Sequence, residues 1–118
     1  MKIVYVSRTG NVAEFVKKIG TNNILEIKSG NELVQEKFVM VTYTDGYGDL
    51  PEEVEMFLEN NSHYLVAVAA SGDLSYGDAY AAAADVISDT YGVPIIAKFE
   101  FDGTDVDVAA FKTALKDL

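Results

Sequence analysis

The sequence predicts an α/β protein built on a doubly wound, five-stranded parallel sheet with strand order 2-1-3-4-5. The runs Ile3-Val4-Tyr5-Val6, Phe38-Val39-Met40-Val41 and Leu65-Val66-Ala67-Val68-Ala69-Ala70 are continuously apolar, as strands covered on both faces must be. Ile24-Leu25-Glu26-Ile27-Lys28 and Ile96-Ala97-Lys98-Phe99-Glu100-Phe101 alternate instead, which places them at the sheet edges where one side meets water. Helical patterns separate the runs, and strands alternating with helices give a parallel sheet with helices on both faces.

The elements follow in order. After the first run, Val12, Phe15, Val16 and Ile19 fall at i, i+3, i+4 and i+7 and form the buried stripe of an amphipathic helix. Ser29 to Lys37 carries little beyond Leu33-Val34 to support a helix, although a parallel crossover is needed there. Pro51 with Glu52 and Glu53 reads as a helix first turn, and Val54, Phe57 and Leu58 supply its buried face. Asp78 is placed as the N-cap of a third helix through Tyr80, Ala84, Ile87 and Tyr91, stopped by Gly92 and Pro94. Asp105 begins a last helix with Val108, Phe111, Leu115 and Leu118 turned inward.

Composition narrows the chemistry. At 118 residues the chain is one domain, 1–118, large enough to bury a core without staples. The charge of −10 disfavours nucleic acid and anionic lipid as partners, and with no cysteine there is neither disulfide nor thiolate chemistry. His63 is the single imidazole, so a Ser-His-Asp triad or a multi-histidine metal site is not expected. No run reaches the length of a membrane span, and Met1-Lys2 leads straight into what reads as a buried strand rather than a signal peptide. A soluble cytoplasmic protein is the expectation. No side chain is assigned a catalytic role, and no metal site is predicted.

In such a sheet, ligands bind beyond the carboxyl ends of the strands, next to the point where strand order reverses. Three unusual loops lie there. Ser7-Arg8-Thr9-Gly10-Asn11 runs into the first helix, and its hydroxyls together with N–H groups near Gly10, Asn11 and Val12 suit a phosphate. In Tyr43-Thr44-Asp45-Gly46-Tyr47-Gly48, the glycines bare the main chain to a flat ring and Tyr47 is placed to cover one face. Ser71-Gly72-Asp73-Leu74-Ser75-Tyr76-Gly77-Asp78 again brackets an aromatic with glycines. A phosphate cradle beside a glycine-lined slot fits a planar, phosphate-tailed cofactor. Flavin mononucleotide (FMN) fits best, because no G-x-G-x-x-G pattern with a downstream acid is present. Asp45, Asp49, Asp73 and Asp78 would surround the slot and make a reduced flavin harder to form. Glu52, Glu53, Glu55 and Glu59 read as a solvated helix face, and Ala79 with Ala81 to Ala84 as close helix–sheet packing.

The first loop resembles the flavodoxin phosphate loop. The segments Tyr43-Thr44-x-Gly46-x-Gly48-x-x-Pro51, Ala70-Ser71-Gly72…Gly77-Asp78 and Pro94-Ile95…Lys98-Phe99-Glu100…Gly103-Thr104 resemble the NrdI family more specifically, over essentially the whole chain. The resemblance implies a flavodoxin-like fold and bound FMN. It also implies work with class Ib ribonucleotide reductase. Reduced flavin in that family reacts with O2, and the superoxide- or peroxide-level oxidant serves to assemble the dimanganese-tyrosyl radical of the reductase small subunit. A separate reductase, unidentified, would donate the electrons. Carried over, Ser7, Thr9, Gly10, Asn11 and Val12 would hold the phosphate, with Arg8 in the same loop. Tyr43, Thr44, Asp45, Gly46, Tyr47 and Gly48 would line one side of the ring, and Ser71, Gly72, Asp73, Tyr76 and Gly77 the other. Asp73-Leu74-Ser75 departs from the family, which often has Asn followed by basic or polar residues. A short general electron-transfer flavodoxin is the nearest alternative. A phosphoaccepting signalling domain lacks the acids after the first strand that Mg²⁺ would need, since Ser7 and Arg8 stand there.

Overall fold

The computed structural model describes residues 1–118. Strands β1 (Lys2–Tyr5), β2 (Ile24–Glu26), β3 (Phe38–Tyr43), β4 (Leu65–Gly72) and β5 (Ile95–Glu100) form one sheet in the order β2-β1-β3-β4-β5. Every neighbouring pair is parallel. The predicted class and order are both observed, with the two alternating runs at the edges. Helices α1 (Asn11–Ile19), α2 (Glu52–Asn61), α3 (Ala83–Tyr91) and α4 (Asp105–Lys116) cover it.

Successive residues of a strand point to opposite faces, so the continuous apolar runs feed two cores at once. Ile3, Val39, Val41, Ala67, Ala69 and Phe99 pack against Val12, Phe15, Val16 and Ile19 of α1 and Val108 and Phe111 of α4. Val4, Phe38, Met40, Val68 and Ala70 pack on the other face against Val54, Phe57 and Leu58 of α2 and Ala83, Ala84 and Ile87 of α3. The Phe15 ring lies flat on Phe99, 3.8 Å between centroids, and meets Phe111 edge-on at 5.3 Å. Aromatic pairs of this kind add about 1 kcal/mol each beyond the area they bury, fixing α1 and α4 to the sheet.

Three expectations need correction. Asp78 does not cap a helix: α3 starts at Ala83, because Gly77 (φ +60°) and Ala81 (φ +50°) interrupt the helical path and leave 74–79 as a kinked 3-10 segment that ends before Tyr80. The crossover over 29–37 has no helix, in keeping with how little of its sequence supports one. Leu118 is exposed, since α4 ends at Lys116. Pro51 stands at the N-cap position of α2, one residue ahead of the first turn, with extended backbone (φ −55°, ψ 139°). The start of α4 is better built than the sequence reading allowed for. The Thr104 hydroxyl accepts from the Asp107 N–H while the Asp107 carboxylate accepts from the Thr104 N–H, a reciprocal capping box. No helix is long and apolar enough to cross a membrane.

Candidate functional site

The parallel register brings the three loops to one end of the sheet. Tyr5 pairs with Val41 and Tyr43 with Ser71, so the chain leaves β1, β3 and β4 side by side. Between them lies a trough of about 240 Å³ lined by Arg8, Thr9, Asn11, Tyr43, Thr44, Asp45, Gly46, Ser71, Gly72, Asp73, Tyr76, Ala79, Ala81 and Phe101. Binding cavities for drug-sized ligands run from about 300 Å³ upward, so a larger ligand here would keep part of its surface in solvent.

The first loop is arranged around the Ser7 hydroxyl, which accepts from the N–H of Gly10 at 3.2 Å and of Ala13 at 3.3 Å. Glu14 N–H donates to the Gly10 carbonyl. The N–H groups of Asn11 and Val12, at the start of α1, have no acceptor within the protein. Gly10 has φ +93° and open space where a Cβ would stand, so the main chain can be approached closely. Free N–H groups at a helix N-terminus beside a bare glycine fit a phosphate by both charge and geometry. Ser7, Gly10 and Val12 build this turn without lining the trough, whereas Thr9 and Asn11 face it.

The second loop closes on itself. Asp45 and Asp49 exchange N–H···O bonds of 2.9 and 2.8 Å, and Gly46 (φ +51°) and Gly48 (φ +119°) supply the left-handed backbone that so short a turn demands. Tyr47 is thrust out at its tip. It is 81 % exposed and does not line the trough, contrary to the sequence expectation. Instead it meets Tyr76 edge-to-face at 5.0 Å, because two exposed rings bury apolar surface on each other. Gly48 and Gly77 likewise stay outside the lining, while Tyr76 belongs to it. The Thr44 hydroxyl donates to the Ser71 carbonyl at 3.0 Å and accepts from Ala83 N–H at 3.4 Å, tying the second loop to the third.

Charge around the trough differs from the sequence picture in a physically important way. Arg8 grips Asp45 through both guanidinium nitrogens, at 3.2 and 3.1 Å, and lies 4.6 Å over the Tyr43 ring. The Tyr43 hydroxyl accepts from Arg8 at 3.2 Å and donates to Glu53 at 3.0 Å, so Glu53 is half-buried and engaged rather than part of a solvated face. The hydrogen bond from Arg8 holds the Asp45 carboxyl below its ordinary value, and burial followed by the bond to Glu53 raises the Tyr43 hydroxyl. Asp73 is held down by the Ser75 N–H, 2.9 Å away. Asp49 and Asp78 do not face the trough, because their loops turn them to solvent. Of the four predicted acids, then, Asp45 is neutralised by Arg8 and Asp73 alone presents an unpaired charge to the trough.

Ala79, Ala81 and Phe101 line the trough and are not among the site residues the sequence predicts. The signal for Phe101 was only positional: it follows the last strand at the end of the sheet where ligands bind. The alternation in sequence carries the strand through Phe101, but the strand ends at Glu100 and Phe101 turns away with φ +54°. Lys98, mid-strand, is held by Asp85 at 2.6 Å.

Comparison with known proteins agrees with the fold. Three solved flavodoxins share the fold. A short-chain flavodoxin associated with a non-canonical PDU bacterial microcompartment superposes with a TM-score of 0.75 at 24 % identity, covering 99 % of this chain and 94 % of its own. Oxidised flavodoxin 1 from Bacillus cereus gives 0.71 at 24 % identity, covering 98 % and 97 %. The Streptococcus pneumoniae TIGR4 flavodoxin gives 0.68 at 23 % identity, covering 99 % and 95 %. In sequence, the chain is 48 % identical over 111 residues to Protein NrdI of Bacillus licheniformis, across 94 % of this chain and 84 % of the relative. The profile of the NrdI flavodoxin-like family matches residues 3–113, and the chain belongs to that family.

Proposed function

We propose that the trough holds FMN and that the protein uses it to supply an oxidant to a class Ib ribonucleotide reductase. Supporting this reading is the junction of unpartnered Asn11 and Val12 N–H groups with a glycine-lined trough, in a chain of the NrdI flavodoxin-like family. The family implies a flavin. The mononucleotide is favoured because the phosphate-suited turn is a single helix N-terminus, with no second phosphate loop beside it.

The chemistry a bound, reduced flavin would supply is electron transfer to O2, giving a superoxide- or peroxide-level oxidant for the dimanganese site of the reductase small subunit. The protein's part is to bind, orient and tune. The turn from Ser7 to Val12 would receive the phosphate. Main chain at Gly46, Gly72 and Asp73 would meet the ring, with Thr44 holding these two walls together. Arg8, by neutralising Asp45, limits the negative field that would oppose an electron-rich ring. A trough of about 240 Å³ would leave part of a larger planar ligand in solvent, within reach of O2. No side chain needs to act as acid, base or nucleophile, and electrons would enter from a separate reductase.

The test is anaerobic stepwise reduction of the purified, FMN-loaded protein followed by absorbance, then mixing with O2 and the dimanganese subunit. Flavin bands and radical formation in the subunit are expected. A preparation that takes up no FMN overturns the cofactor assignment. Binding and reduction without activation of the subunit would instead leave a general electron-transfer flavodoxin.

A further inference from the structure

Two residues other than glycine have left-handed backbone, Ala81 (φ +50°) and Phe101 (φ +54°), and both line the trough. This conformation presses Cβ toward the following carbonyl, so it persists only where the surroundings enforce it. At Phe101 the enforcement is explicit. Its N–H donates to the Gly72 carbonyl at 3.1 Å, and its carbonyl accepts from the Ser71 hydroxyl at 2.5 Å. Gly103 N–H donates to the Glu100 carbonyl at 3.0 Å, closing a four-residue turn with Phe101 as its first central residue. Lys18 of α1 anchors the far side, donating to the carbonyls of Asp102 at 3.0 Å and Gly103 at 2.8 Å.

Positive φ at the first central position alone is the pattern of a type II′ turn, where glycine is the usual occupant. Phenylalanine there runs against local preference, and core packing does not account for it. Phe101 is 48 % exposed and belongs to neither core cluster. A glycine would relieve the backbone and remove nothing from the core. The side chain is therefore kept in an unfavourable turn, on the wall of a cavity, with half its surface unused by the fold.

We propose that Phe101 is a ligand-contacting residue, held by the strained Glu100–Gly103 turn so that its ring packs against the planar group the trough accepts. The inference rests on the proposed flavin site and adds a wall, contributed by the turn after β5, to the three loops. It separates two quantities that usually move together. Substitutions that suit the turn should improve folding and impair binding, the pattern of strain retained for function.

The experiment titrates FMN into the cofactor-free wild type and into Phe101→Gly, Phe101→Asn and Phe101→Leu, reading affinity from flavin fluorescence. Each protein is also melted without FMN. Glycine and asparagine both tolerate left-handed backbone, so one of the two still informs if the other folds poorly. Both are expected to melt at or above the wild-type temperature while binding FMN roughly ten-fold more weakly, the scale of one aromatic contact. Phe101→Leu keeps the strain and some apolar surface, so it should melt no higher than wild type and lose only a few-fold in affinity. Unchanged FMN affinity in the glycine and asparagine variants overturns the inference, as does affinity falling together with melting temperature. A wild type that fails to bind FMN overturns the flavin reading itself, an outcome distinct from a binding wild type with indifferent variants.

Discussion

Two stretches of this chain are irregular where a helix was needed or expected, and they solve the same problem in opposite ways. Residues 27–37, between β2 and β3, have no helix, yet their polar groups are tied inward. The Glu32 carboxylate accepts from the N–H groups of Lys28, Ser29 and Gly30 at 2.8, 3.1 and 2.9 Å. Asn61, 1 % exposed at the end of α2, accepts from Val34 N–H and donates to the carbonyls of Glu32 and Phe57. Residues 73–82, after β4, reach the core at Ala81 but are otherwise held by local and surface bonds, such as Leu74 N–H to Glu100 at 3.0 Å and Ser75 N–H to Asp73. Leu74 to Asp78 are all exposed. A buried side chain that satisfies an irregular segment makes it part of the scaffold, whereas a segment left open at the carboxyl end of the sheet is available to a ligand.

The contrast can be broken from the scaffold side first. Asn61→Ala strands a buried N–H and two carbonyls, and is expected to lower the unfolding free energy by about 3 kcal/mol in a denaturant titration. FMN affinity of the folded fraction should be unchanged. Gly72→Ala attacks the open segment: its Cβ would stand 2.5 Å from the Ala81 nitrogen and 2.9 Å from the Ala81 Cα. A cost of about 2 kcal/mol is expected, with loss of FMN binding, because the third loop must move to make room.

Glu32 sharpens the comparison through pH. Burial pushes its carboxyl up, but the N–H bonds it accepts outweigh that and hold it at about 2 against an ordinary 4.5. A depressed carboxyl stabilises the fold above its unfolded value and loses that contribution as pH falls toward the folded one. The Glu32 contribution is therefore complete above pH 4.5 and disappears toward pH 2. Glu32→Gln should cost about 1 kcal/mol at neutral pH and flatten the acid limb of the stability profile in that window. The smallest effects belong to the charges at the trough. Asp73→Asn keeps an acceptor for Ser75 N–H, so stability at neutral pH should hold while the reduction potential of bound flavin rises. Arg8→Gln, which frees the Asp45 charge, should lower it. Both shifts should shrink with added salt, and potentiometric titration at two ionic strengths checks them.

Most of the scaffold was legible because it follows from periodicity. The edge strands announced themselves by alternation, and Val12, Phe15, Val16 and Ile19 all reached the core as their spacing required. What the sequence concealed was set by tertiary contacts. Ala79 and Ala81 to Ala84 favour a helix locally, but Ala81, packed close against Gly72, has left-handed backbone (φ +50°), and α3 starts only at Ala83. Nothing local in Asn61 revealed that it would replace a missing helix from 27 residues away. At the candidate site, the positions of the loops were readable from topology, whereas the pairing of Arg8 with Asp45 was not. That pairing joins residues 37 apart in sequence and changes which acids carry uncompensated charge.

The tyrosine pair at the mouth of the trough has a practical consequence. The chain has seven tyrosines and no tryptophan, so its ultraviolet emission is tyrosine emission alone. Tyr47 and Tyr76 touch at the entrance while Tyr43 forms part of the inner wall. A chromophore arriving there would drain light from a defined subset of emitters, giving the protein a built-in optical gauge of occupancy that needs no label.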